Sequence, residues 1–99
     1  MSKTRKGKNK LNVEQLKKFI KEIEELGKGS NNSYLEMIVS SANNFITYGE
    51  YRIALEIALD NLYEGSVFLD EEVVNLARQA YGKNITLEDE SILKMLTKK

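Results

Sequence analysis

Glu56 and Asp60 stand four residues apart in a stretch that reads as helix, so both carboxylates fall on one helix face, with Tyr63 following on the same face. Two carboxylates held together in a buried setting can do general acid/base work. The rest of such an inventory is missing. The 99 residues contain no histidine and no cysteine, and no nucleophile stands beside a base. There is no glycine-rich phosphate loop and no metal triad. A calcium-like spacing also runs through this region: with Asp60 as position 1, Gly65 is position 6 and Glu71 is position 12 of an EF-hand loop. It fails at positions 3 and 9, where Leu62 and Phe68 offer no side-chain oxygen, and the residues before Gly65 read as helix. No catalytic residue, no cofactor and no metal ligand is expected, and the protein is read as a non-enzyme.

The elements that would position these carboxylates are helical. Asn12 is a good N-cap for a first helix from about Val13 to Leu26, with Gln15 at the third helical position and Leu11 and Leu16 placed for a hydrophobic staple. Val13, Leu16, Phe19, Ile20 and Ile23 form its apolar face, and Gly27 is expected to end it. Ser33 with Glu36 has the spacing of a capping box for a second helix, closed near Tyr48 by Gly49. The third helix runs from about Glu50 to Glu64 and stops at Gly65. Tyr51, Ala54, Leu55, Ala58, Leu59 and Leu62 share one broad face, while Ile53 and Ile57 fall nearly opposite. Both sides therefore ask for burial, which places this helix in the centre with one seam of Glu56, Asp60 and Tyr63 left open. Asp70 should cap a fourth helix, Glu71 to Tyr81, stopped by Gly82, and Thr86 with Asp89 starts a short fifth. The expected fold is all-α, a bundle of four to five short helices formed by residues 11–99 as one domain.

The net charge of zero conceals an asymmetry. Residues 1–10 carry five cations and no acid, and read as a disordered basic tail. The other 89 residues hold 10 basic and 15 acidic side chains. From Glu22 to Glu72 there are 11 acids against Lys28 and Arg52 alone. Such a body speaks to the charge of its partners, and acid mixed with tyrosine suits an interface with a basic one. Phosphate repels an acidic body, so direct nucleic-acid binding is not expected, although a small regulator using the basic tail is one alternative. A helical adaptor for another basic protein is the other. No apolar run approaches the roughly 18–20 residues a membrane helix needs, and the basic start has no apolar run behind it. A soluble, cytoplasmic protein is expected.

The run Phe45-Ile46-Thr47-Tyr48-Gly49-Glu50-Tyr51-Arg52-Ile53-Ala54-Leu55-Glu56, continuing to Asp60-Asn61-Leu62-Tyr63-Glu64 and then to the acidic helix start Asp70-Glu71-Glu72, resembles the MafI-type family of small bacterial immunity proteins. The resemblance extends over roughly Phe45 to Tyr81. It implies a protein encoded beside a polymorphic or contact-delivered toxin, which it neutralises by binding the toxin's C-terminal domain in the cytoplasm. Some toxins met by such helical immunity proteins look like RNases, EndoU-like ones included. A nuclease active site is a basic groove, and an acidic, tyrosine-bearing face can steer to it and cover it without catalysis. The expected contact residues are Glu50, Glu56, Asp60, Tyr63, Glu64, Asp70, Glu71 and Glu72.

Overall fold

Helix α1 (Val13–Ser30) starts where Asn12 Oδ1 accepts the Gln15 backbone N–H at 3.2 Å. The Gln15 side chain does not turn back to complete a capping box. It reaches across to Gln79, its Nε2 donating to Oε1 at 2.8 Å. In the computed structural model, which describes residues 11–98, four more helices follow: α2 (Ser33–Thr47), α3 (Tyr51–Glu64), α4 (Glu71–Tyr81) and α5 (Leu87–Leu96), with a 3-10 turn at Gly82–Asn84 before the last. The basic tail expected at residues 1–10 lies outside the described residues.

The helix ends differ from expectation at Gly27 and agree with it at Gly65. α1 does not stop at Gly27. It continues to Ser30, and Asn31 takes the left-handed conformation (φ 57°) that closes it. Asn32 N–H then reaches back to the Gly27 carbonyl at 2.9 Å and Asn31 N–H to the Lys28 carbonyl at 3.3 Å, the paired bonds of a Schellman motif. Asn32 in turn caps α2, its Oδ1 accepting from Tyr34 and Leu35, so the capping box expected from Ser33 and Glu36 is replaced by a cap one residue earlier. α3 stops at Glu64 with Gly65 as its C-cap, as expected, and the left-handed position that closes the motif falls on the next residue, Ser66 (φ 56°). Val67 N–H bonds the Leu62 carbonyl at 2.9 Å and Ser66 N–H the Tyr63 carbonyl at 3.1 Å.

Gly27 and Gly65 serve close packing. A Cβ on Gly27 would stand 3.2 Å from the Leu35 Cβ where α1 meets α2, and one on Gly65 would stand 2.5 Å from the Tyr34 ring. Tyr34 donates its hydroxyl to the Asn61 carbonyl at 2.7 Å and is held there. Gly65→Ala is expected to destabilise by about 1–3 kcal/mol through this overpacking. Ser66→Gly should stabilise by up to about 1 kcal/mol by relieving a left-handed non-glycine residue. Thermal unfolding of the two variants checks both signs.

α1 packs on α2 and α4, α3 packs on α2, and α5 closes the bundle against α3 and α4. Leu16, Phe19, Ile38, Leu55, Leu62, Val74, Tyr81 and Leu93 sit in the shared core, and no polar or charged side chain is buried among the described residues. The N-terminus of α1 is tied to the end of α4 by Asn12 N–H to the Ala80 carbonyl, 2.9 Å. The capping box expected at Thr86 and Asp89 is present on both arms, whereas Asp70 makes no side-chain cap to α4. The result is an all-α bundle of five short helices, with no sheet among the described residues. Leu69 and Thr97 form one isolated parallel bridge.

α5 is also held by charge. Arg78 donates Nε to Glu90 Oε2 at 2.9 Å and Nη2 to Glu90 Oε1 at 3.0 Å, a bidentate pair between α4 and α5. These hydrogen bonds hold the Glu90 carboxyl below its ordinary value near 4.5. A carboxyl depressed in the folded state contributes stability above its unfolded pKa and loses it as pH falls through the folded value. The contribution, on the order of 0.5–1 kcal/mol for a partly exposed pair, should be present at neutral pH and fade below about pH 4.5. Urea unfolding of Glu90→Gln against the parent at pH 7 and pH 3 measures it: the difference should shrink at the lower pH.

Candidate partner-binding surface

α3 buries one face, not two. Ala54, Leu55, Ala58, Leu59 and Leu62 are enclosed, but Ile53 is 42% exposed and Ile57 only half-buried. The expectation of a central helix covered on both sides is therefore corrected: among the described residues the Ile53 side is only partly covered, and that side of the helix lies at the surface of the bundle.

The open edge of α3 meets the first turn of α5 in a groove of about 140 Å³. Glu56 and Asp60 line it from α3, Glu88 and Asp89 from α5, and Leu59, Ile92 and Tyr81 complete it. Arg52 bridges one edge. Its Nε stands 3.0 Å from Glu56 Oε2, its Nη2 3.3 Å from Asp89 Oδ2, and its guanidinium lies 5.2 Å from the centroid of the Tyr81 ring. Burial pushes the Tyr81 hydroxyl well above its ordinary value, and the Asp89 and Glu56 carboxylates push it further while Arg52 opposes them. The hydroxyl thus stays protonated at neutral pH. Among the described residues, Asp60 and Glu88 form no ion pair. Their charge faces solvent uncompensated by a cation of the bundle.

The residues expected at the interface do not make one patch. Glu56 and Asp60 come together with Glu88 and Asp89. Asp70, Glu71 and Glu72 are exposed at the start of α4, whose 11 residues put them about 15 Å along the axis from Tyr81. Asp70 there is 3.6 Å from Lys98 Nζ. Tyr63 and Glu64 are exposed at the end of α3, and Glu50 is exposed at its start without capping it. Glu88 and Asp89 escaped the sequence reading because their run, Thr86 to Glu90, explains itself as a helix start. They come to stand beside Glu56 because α5 packs on α3 as well as on α4.

No three His, Cys, Asp or Glu side chains among the described residues converge as a metal site would require. No helix among them is long and apolar enough to cross a membrane. Fold and surface together define a small all-α protein with an acidic groove and a separate acidic helix start. No family model, curated protein or solved structure matches the chain.

Proposed function

We propose that the protein is an immunity protein that binds a cognate bacterial toxin domain, a nuclease, in the cytoplasm and neutralises it by covering its active site. The observation that supports this reading most is the groove between α3 and α5, where Asp60 and Glu88 stand solvent-facing and unpaired within the described bundle beside Glu56 and Asp89. Carboxylates spread around a groove offer repeated negative charge to a basic surface shaped for phosphates. The low screening of close pairs in a covered interface makes such contacts selective, and the long-range field speeds encounter. The partner class comes from the resemblance over Phe45 to Tyr81, and the groove supplies the physical means.

Co-expression with the C-terminal domain of a toxin encoded beside this chain tests the proposal. Cells should survive with the immunity protein and die without it, and the two proteins should co-purify. A chain lacking residues 1–10 should protect equally well, because Glu56, Asp60, Glu88 and Asp89, the carboxylates of the groove, are all retained in it. Loss of protection on deleting the tail, together with loss of nucleic-acid retention, would transfer the function to the basic segment. Survival that never depends on the protein would end the proposal.

A further inference from the structure

Arg52 stands at the wrong end of its own helix for a cation. It lies in the first turn of α3, at the positive end of the helix dipole, and it precedes Glu56 by one turn, the weaker order for such a pair. It is also the one basic residue of α3. What holds it is the groove. Glu56 accepts its Nε at 3.0 Å from α3, Asp89 accepts its Nη2 at 3.3 Å from α5, and the guanidinium lies over the Tyr81 ring, 5.2 Å from the centroid. One end of the groove is thus filled with the kind of group that a basic partner would bring to it. The other end, at Asp60 and Glu88, forms no ion pair among the described residues. The groove's walls have other ties. Asp89 Oδ2 also accepts the Thr86 N–H at 3.0 Å, which fixes this carboxylate at the start of α5, and the Arg78–Glu90 pair joins α5 to α4.

We propose that Arg52 is a built-in competitor for the acidic groove: it occupies the end between Glu56 and Asp89, and a basic protein partner binds by putting an arginine of its own in that place. The proposal rests on the acidic-groove reading given above and adds the regulation of that site. An ion pair at the surface is weak. The Arg52 and Glu56 side chains are 34% and 44% exposed, so their pairing can be exchanged for another without opening the core. Arginine suits the place better than lysine, because its planar fork can meet two carboxylates while its face covers the Tyr81 ring. Arg52 also repels any other cation that enters beside it. A ligand with one positive charge therefore meets a groove already partly neutralised. A partner that presents several can displace Arg52 and engage Asp60 and Glu88 in the same event. Arg52 thereby sets a threshold of charge that discriminates against weakly basic competitors.

The test is a titration of the full-length, isotope-labelled chain with a synthetic hexa-arginine peptide, followed by NMR. Amide shifts should saturate at Glu56, Asp60, Glu88 and Asp89, and the Arg52 Nε–H signal should move with the same midpoint as its side chain leaves Glu56. Arg52→Gln, which removes the charge, should bind the peptide about three- to tenfold tighter, and Arg52→Lys, which keeps it, should stay within about twofold of the parent. The cations of residues 1–10 are present in every variant, so the comparison isolates position 52. Thermal unfolding of Arg52→Gln checks that its fold persists, and the Arg52 signal of the parent decides the matter without any variant. A signal that stays in place while the groove amides shift would overturn the proposal and leave the acidic-groove reading intact. Equal or weaker binding by a folded Arg52→Gln would overturn it too, since Arg52 would then be a strut between α3 and α5 and no competitor. Shifts that avoid the groove altogether would remove this proposal, while failure of protection in the co-expression assay would remove the other.

Discussion

Asp60→Lys with Glu88→Lys should, if the chain binds a toxin domain as proposed, weaken that binding by about 2–4 kcal/mol, roughly 30- to 1000-fold, while leaving the fold intact. Both carboxylates are exposed and neither has an ion-pair partner within the described bundle, so their reversal breaks no internal contact. Each change should therefore stay within about 0.5 kcal/mol in unfolding free energy. Glu56 is a poorer choice for the same experiment. It holds Arg52 at 3.0 Å, and a lysine there would push against that guanidinium and disturb the contact with Asp89. Two features separate an electrostatic interface from a generic one. The parent's affinity should fall with added salt, and the double variant's should depend on salt much less. The association rate should also drop more than the dissociation rate rises, because solvent-facing charges act mainly on encounter. Glu22→Lys with Glu36→Lys is the matched control, two exposed acids outside the groove and outside the expected contact residues. If this control pair weakens binding as much as the Asp60 and Glu88 pair does, the groove has no special part. If neither alters affinity or its salt dependence, the acidic surface is removed from the account.

The helices were legible because each is short, amphipathic and bounded by polar caps, and Asn12, Thr86, Asp89, Gly49 and Gly82 all act where their chemistry puts them. The four glycines near helix ends divide on one physical point. A glycine near a helix end can be there for its backbone freedom or for its missing side chain, and only the neighbouring element tells which. At Gly49 and Gly82 the backbone needs positive φ, 75° and 63°. At Gly27 and Gly65 a neighbouring side chain needs the space, Leu35 in one case and Tyr34 in the other, so the left-handed position passes to Asn31 and Ser66. The groove was half legible for a related reason. Helical periodicity aligned Glu56 with Asp60, but periodicity is local, and the opposing Glu88 and Asp89 arrive through the path of the chain. The same limit explains Ile53. A wheel shows which residues share a face and says nothing of whether a partner helix exists to cover it.

Leu62→Ala should cost about 2–5 kcal/mol and Ile53→Ala well under 1 kcal/mol, although both are aliphatic residues of α3. Leu62 is fully buried near the end of the helix, whereas Ile53 is 42% exposed. Truncating the first removes methyl groups from a packed core and leaves a cavity that its neighbours fill only in part. Truncating the second removes atoms that already contact water in part and leaves no enclosed cavity. A domain of this size has roughly 5–15 kcal/mol of stability in total, so the Leu62 variant loses a large fraction of it. Its unfolding midpoint should fall by about 8–40 °C, at about 4–8 °C per kcal/mol. In urea the midpoint should fall with little change in slope, since the surface exposed on unfolding is almost the same. Leu55→Ala, equally buried, should behave like Leu62→Ala. The comparison with Ile53 decides whether α3 has one buried face or two: equal losses at Leu62 and Ile53 would require a covered Ile53 side, and with it a different packing of the helix that carries Glu56 and Asp60.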